Sequence, residues 1–255
     1  MKRILLTLLF ISIAVPLIAD NSPETIFDSA NRLYQDEDYQ SALNMYMRLY
    51  NDGYHLQEIM YNVGNCEVRL NNLGKSLIWY KRAKYLSPRD EQIKKNITFI
   101  EKTRMDRIGT NDRNIISKIF DGLNDSTTLD EKIMTFTVFY VLFFMFAVLL
   151  SLIDKYRSYI LHNFIMVGII IFMILMCFTG IDAFMSFKSF KERRQAVIVT
   201  PKIDVRSAPL LNEKIIFTLH DGSEVEIIRE ENDWVLIRLP DGTSGWIKNT
   251  TLERI

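Results

Sequence analysis

The chain has 255 residues, with 31 Lys and Arg against 31 Asp and Glu. That balance gives no electrostatic ground for a nucleic-acid partner. Cys66 and Cys177 fall in different segments, as do His55, His162 and His220, so neither a disulfide framework nor a metal-ligand spacing is present.

Lys2 and Arg3 precede an apolar run from Ile4 to Ile18, closed by Ala19 and the polar Asp20. A basic start, an apolar core and a small closing residue describe a secretory signal over residues 1–19. Leu17, at the −3 position, is larger than a cleavage site usually takes, so a cleaved signal and an uncleaved signal-anchor both fit. Either one carries the following residues across the membrane.

Residues 22–107 contain a period. Ala42 matches Ser76, Tyr46 matches Tyr80 and Leu49 matches Ala83, each at an offset of 34. That is the length of a tetratricopeptide helix–turn–helix repeat. In the second copy Gly64 permits close helix approach, Ser76 and Ala83 are small, Tyr80 fills the space between, and Pro88 stops the helix. The first copy has Ala30 for Gly64 and Tyr54 where the proline would stand. Glu91–Arg107 reads as a further helix whose Ile93, Ile97 and Ile100 form one stripe that caps the stack. By repeat position Asn31, Tyr34, Tyr61, Asn62, Asn65 and Arg69 face the inner surface, as a peptide groove or as a solvated face without ligand. Phe27, Gln92 and Asn96 occupy places that a carboxylate clamp fills with basic groups, so a clamp of that kind is rejected.

Residues 108–132 are polar apart from Ile115–Phe120 and read as a linker with a short helix at the membrane surface. Ile133–Ile153 carries no formal charge, and its 21 residues make a helix of roughly 31 Å, enough for a hydrocarbon core. Asp154–Asn163 is a polar turn, and Phe164–Met185 is apolar except for Asp182. Helices of soluble proteins carry a polar face, which these segments almost entirely lack, so a pair of buried core helices is the weaker reading. A transmembrane hairpin over 133–186 therefore puts both flanking pieces on one side. Lys155 and Arg157 mark the turn as cytoplasmic, whereas Lys188, Lys191, Arg193 and Arg194 favour the opposite orientation. The N-terminal signal decides for two domains outside the cytoplasmic (inner) membrane, in the periplasm. Asp182, near the outer end of its span, reads as an interfacial acid with no ionisable partner within the spans.

From residue 196 to 255 the period changes to 2. Five short strands, 196–200, 215–219, 223–228, 234–238 and 243–247, are separated by Asp221-Gly222, Asn232-Asp233 and Pro240-Asp241-Gly242. The expectation is a small closed barrel. Asp204-Val205-Arg206-Ser207-Ala208-Pro209, Asp233-Trp234 and Gly245-Trp246-Ile247 resemble the signatures of the bacterial SH3 family, whose members often bind cell-wall peptides or proteins. Gly245 reads as a tight turn, Trp246 as core and Trp234 as a groove residue.

The fold expected is thus a membrane multidomain chain: α-helical tetratricopeptide repeats, a transmembrane helical hairpin and a small all-β SH3-like barrel. This order resembles the BatE-type proteins of bacterial aerotolerance operons. Tyr61-Asn-Val-Gly-Asn65, Leu73-Gly-Lys-Ser76, Trp79-Tyr80, Ser87-Pro88-Arg89-Asp90 and Phe217-Thr-Leu-His-Asp-Gly222 carry the likeness. The resemblance implies partnership with membrane von Willebrand A-domain proteins and a MoxR-type ATPase, and a part in oxidative-stress tolerance and envelope integrity. No catalytic, cofactor or metal motif is present, so the expectation is not an enzyme. A membrane-anchored adaptor is the first reading. A peptidoglycan-binding envelope module or a non-catalytic subunit of a membrane complex are the alternatives.

Overall fold

The computed structural model describes residues 22–106, 126–152, 159–192 and 194–255. The signal segment and the short helix expected at Ile115–Phe120 lie outside these residues.

Five helices come first: α1 (Pro23–Gln35), α2 (Tyr39–Asn51), α3 (Gln57–Arg69), α4 (Leu73–Leu86) and α5 (Glu91–Thr103). Local chemistry starts three of them. Ser22 accepts from the Thr25 amide with Pro23 at the first turn, Asp38 accepts from Ser41, and Asp90 accepts from Gln92 and Ile93. The first two helix pairs start at residues 23 and 57 and their second members at 39 and 73, an offset of 34 in both cases. The turns inside the pairs repeat as well: Glu37 and Asn71 both take left-handed φ, 63° and 62°.

Small and aromatic residues fill the crossings. Ala30, Ala42, Val63, Leu77, Tyr46 and Tyr80 are buried, and α5 adds Ile93, Ile97 and Ile100. A Cβ at Gly64 would stand 2.7 Å from the Tyr80 ring, so the glycine is what lets α3 and α4 close on that tyrosine. Leu86 ends α4 two residues before Pro88.

The next two helices are α6 (Leu129–Leu152) and α7 (Tyr159–Glu192). They pack on each other, with Gly168 against Phe146 and Gly180 against Phe136. Both are long and apolar enough to cross a membrane, and their apolar side chains, such as Phe144, Val148, Ile170 and Ile174, stay exposed. The helices outrun the expected hairpin: α6 takes in Leu129–Lys132 from the expected linker, and α7 takes in Tyr159–Asn163 from the expected turn and runs on to Glu192. Thr128 and Glu131 explain the early start. The Thr128 hydroxyl accepts from the Glu131 amide and the Glu131 carboxylate from the Thr128 amide, a reciprocal cap.

The C-terminal piece has seven antiparallel strands, not five: β1 (Gln195–Ile198), β2 (Lys202–Arg206), β3 (Ile215–His220), β4 (Glu224–Glu231), β5 (Trp234–Arg238), β6 (Ser244–Lys248) and β7 (Leu252–Arg254). Their order is β3-β2-β6-β5-β4-β1-β7, with β3 and β7 at the ends and not paired with each other, and all seven strands contribute to one core that the sheet wraps around. The three expected turns hold left-handed residues at Gly222, Asn232 and Gly242. Gly245 is not at a turn. It lies inside β6, where a Cβ would meet Val205 Cγ1 at 2.4 Å, so its role is close approach of β6 to β2.

The sheet is docked on the helical layer. Val197 of β1 joins the helical core beside Val199 and Ile255, while Ala196 and Ile198, on the other face of β1, join the core of the sheet.

Candidate functional site

The first candidate is a cavity of about 350 Å³ on the inner helical face. Phe27 and Asn31 of α1 and Glu58, Tyr61 and Asn62 of α3 line it, since residues three and four apart share a helix face. Gln57, Asp90 and Gln92 close one side.

Asn31, Tyr61 and Asn62 thus line one space. Tyr34, Asn65 and Arg69 do not. Asn65 Oδ1 accepts from the Tyr80 hydroxyl at 2.7 Å and from Asn96 Nδ2 at 3.3 Å. Asn31 Oδ1 likewise accepts from the Tyr46 hydroxyl at 2.5 Å. These are the same bond repeated 34 residues on, and both carbonyls are spent within the fold. Burial raises the pKa of Tyr46 and Tyr80, which keeps both hydroxyls as neutral donors. Arg69 Nε donates to the Tyr34 hydroxyl at 3.5 Å, and its guanidinium lies 5.7 Å from the Tyr39 ring centre.

The second candidate is a cavity of about 450 Å³ on the sheet. Lys202, Asp204 and Arg206 alternate along one face of β2. Trp234 of β5 pairs in register with Lys248 of β6, and Leu211 comes from the loop after β2. Trp234 is half-buried, whereas Trp246 is buried with the Arg229 guanidinium 5.2 Å from its ring centre. Trp234 is therefore the tryptophan with surface to offer.

A third polar cluster joins the helices to the sheet. Lys81 pairs with Glu224, and Arg104 reaches Glu224 at 3.2 Å and the Gly222 carbonyl at 3.3 Å. Arg82 donates to Glu253 at 3.1 Å and to the Arg254 carbonyl at 2.7 Å. Asp106 accepts from the His220 amide at 2.6 Å and from the Ser223 hydroxyl, and faces His220 Nδ1 at 2.9 Å. Burial works against the charge of Asp106, but the Ser223 and His220 hydrogen bonds outweigh it and lower the pKa. Asp221 shows the opposite balance: burial raises its pKa despite the amides of Gly74, Leu73 and Gly222.

Asp106, His220 and Ser223 have the residue types of a nucleophilic triad without its geometry. The Ser223 hydroxyl bonds the carboxylate rather than the imidazole, and Ser223 is fully buried. Cys66 is buried too, and burial pushes its thiol up to about 12, far from a thiolate nucleophile. Among the described residues no group of three His, Cys, Asp or Glu is placed to hold a metal ion.

Asp182, expected to stand alone, has a partner. Lys132 of α6 lies 3.4 Å from Asp182 and donates to Ser186 of α7 at 2.8 Å. The expected hairpin began one residue too late to include this lysine. Next to it, Glu131 takes a bidentate bond from Arg89 at 2.9 and 3.1 Å, which fixes α6 to the α4–α5 turn.

Sequence reasoning missed the docked cluster, although one signal was available. Gly74 stands in the first turn of α4, where glycine costs about 1 kcal/mol against alanine. A helical glycine at such a position marks a close neighbour.

The C-terminal sheet is the region that resembles a known class: residues 201–253 match the family described as Bacterial SH3 domain. Over 78 residues the chain is also 35% identical to YrvJ of Bacillus subtilis (strain 168), a protein named for an N-acetylmuramoyl-L-alanine amidase activity. That stretch is 30% of this chain and spans only 15% of the relative.

Proposed function

We propose that the chain is a membrane-anchored module of the bacterial cell envelope whose SH3-type sheet binds peptidoglycan at the Trp234 cavity. The observation that carries this reading is a coincidence of place. The residues that match the bacterial SH3 family include Lys202, Asp204, Arg206, Leu211, Trp234 and Lys248, which line the sheet's cavity. The amidase relative supports a wall ligand by its name alone. In this reading α6 and α7 anchor the sheet in the inner membrane, and both soluble pieces lie in the periplasm. The chain itself binds and breaks no bond.

The test uses the intact protein in mild detergent, sedimented with purified cell-wall sacculi. The wild type is expected in the pellet, and Trp234→Ala in the supernatant at the same protein concentration. A wild type that stays in solution overturns the reading.

A second reading rests on the helical cavity at Phe27, Asn31, Tyr61 and Asn62, which suits an extended peptide of a protein partner. Here the helix pairs act as tetratricopeptide repeats and the chain is an adaptor. The likeness to BatE-type proteins would supply the partners, von Willebrand A-domain proteins and a MoxR-type ATPase, and a role in aerotolerance. Loss of co-purified proteins on Asn62→Ala, with sacculus binding kept, is its expected signature.

A further inference from the structure

The charges of the sheet are segregated. On the β4 side three arginines have a carboxylate: Arg229 with Glu231 at 3.1 Å, Arg238 with Glu226 at 3.6 Å, and Arg254 with Glu230. The cations at the other cavity are different. Among the described residues Lys202, Arg206 and Lys248 have no ion pair, and Arg206 donates only to the Glu213 carbonyl at 2.8 Å. The single acid of the cavity, Asp204, accepts from the Thr218 hydroxyl at 3.3 Å and pairs with none of them.

A sheet that pairs three arginines with carboxylates but leaves three cations lining one cavity with a tryptophan is set for an anionic ligand. From this, and on the peptidoglycan-binding reading above, we infer that the cavity selects a wall peptide with more free carboxylates than amines. Lys202, Arg206 and Lys248 receive the carboxylates, Asp204 receives an amine, and Trp234 covers the peptide's apolar face. A neutral glycan would leave all three cations unpaired. A phosphate polymer would satisfy the cations but offers Asp204 nothing. Arg206 is pre-set for this task, because the Glu213 carbonyl fixes one edge of its fork and leaves the other for a carboxylate.

The experiment compares sacculi in three forms: native, with carboxyls converted to amides, and stripped of phosphate polymers by acid. The intact protein in mild detergent is the probe. Native and phosphate-stripped sacculi are expected to bind alike, and amidated sacculi about fivefold more weakly, the scale of a few half-exposed ion pairs. Lys202→Ala/Lys248→Ala, which keeps Arg206, should bind native sacculi more weakly and narrow the difference between native and amidated forms, and Lys202→Arg/Lys248→Arg should restore it. Equal binding of native and amidated sacculi overturns this inference and leaves peptidoglycan binding standing. Loss of binding only on phosphate removal assigns the cavity to the polymer and overturns it as well. No binding to any form removes both.

Discussion

The backbone amide of Gly74 donates to the carboxylate of Asp221 at 3.1 Å, across 147 residues of chain. The donor lies in the first turn of α4, whose own N-cap residue, Asn72, makes no side-chain capping bond. A residue of the β3–β4 turn thus caps a helix of the N-terminal piece, satisfying an amide that would otherwise be orphaned. With Lys81, Arg104 and Asp106 around it, this contact holds the helices and the sheet in one body. Both pieces therefore meet at the same end of the α6–α7 pair.

Gly74→Ala tests this contact. The added Cβ would stand 2.3 Å from the Ile198 carbonyl and 2.4 Å from Asp221 Oδ1, and neither backbone nor the paired carboxylate can yield cheaply. In an isolated helix the substitution would stabilise by about 1 kcal/mol. Here the overlap should reverse the sign and cost about 2 kcal/mol or more. Thermal unfolding of the intact protein in detergent checks the sign. Faster proteolysis between helices and sheet would show that their junction is what opened.

Asp106 and Asp221 should move acid stability in opposite directions. Asp106 has a folded pKa below its unfolded value, so its contribution is present above the ordinary aspartate value of 3.8 and is lost as pH falls through the folded pKa. Asp221 has a raised folded pKa, so its ionised form costs stability at neutral pH and the cost disappears as pH falls. Asp106→Asn is expected to lower the melting temperature at pH 7 and to flatten the loss of stability in acid. Asp221→Asn, which keeps an acceptor for Gly74, is expected to leave the neutral melting temperature unchanged or higher. Melting curves between pH 3 and pH 7 decide, and a fall of equal size in both variants would refute the assignment.

The helix pairs are legible in the sequence because small and aromatic residues must recur where helices cross, and Tyr46 and Tyr80 do so at the right offset. The turns at Gly222, Asn232 and Gly242 are legible because their backbone demands particular residues. Asn31 and Asn65 are ambiguous in the sequence, since a polar residue on an inner helix face looks the same whether it lines a cavity, as Asn31 does, or serves a buried hydroxyl, as both do. Strand β2 is masked by its charges, Lys202, Asp204 and Arg206, and β7 is only three residues long. The docking of helices on sheet is invisible, because Asp221-Gly222 looks like an ordinary turn and nothing local names α4 as its neighbour.

The repeated Asn–Tyr bond yields a sharper distinction. Tyr80→Phe and Tyr46→Phe each remove one neutral hydrogen bond and should cost about 1 kcal/mol in unfolding free energy. Asn62 lines the cavity; beyond a minor side-chain hydrogen bond with Tyr46, its side-chain oxygen receives a long bond of 3.5 Å from Asn65. Asn62→Ala should therefore leave stability within about 0.5 kcal/mol of the wild type. A loss with Asn62→Ala as large as with Tyr80→Phe would place Asn62 in the scaffold with Asn65.

The pair at the end of the hairpin carries the last prediction. Lys132 is buried while Asp182 keeps part of its surface, so removing either partner leaves the other charge beside apolar helices. Because Asp182 is partly exposed, Lys132→Met and Asp182→Leu should each weaken the α6–α7 association by about 1–2 kcal/mol, the scale of an interhelical polar contact. The double variant should recover most of that loss, because it removes both charges together. Unfolding of the full-length protein in mixed micelles with increasing dodecyl sulfate measures the three values. Losses that simply add in the double variant would mean that Lys132 and Asp182 do not act as a pair. Recovery would establish that the two helix ends are joined by charge, one residue from the Glu131 that Arg89 ties to the soluble body.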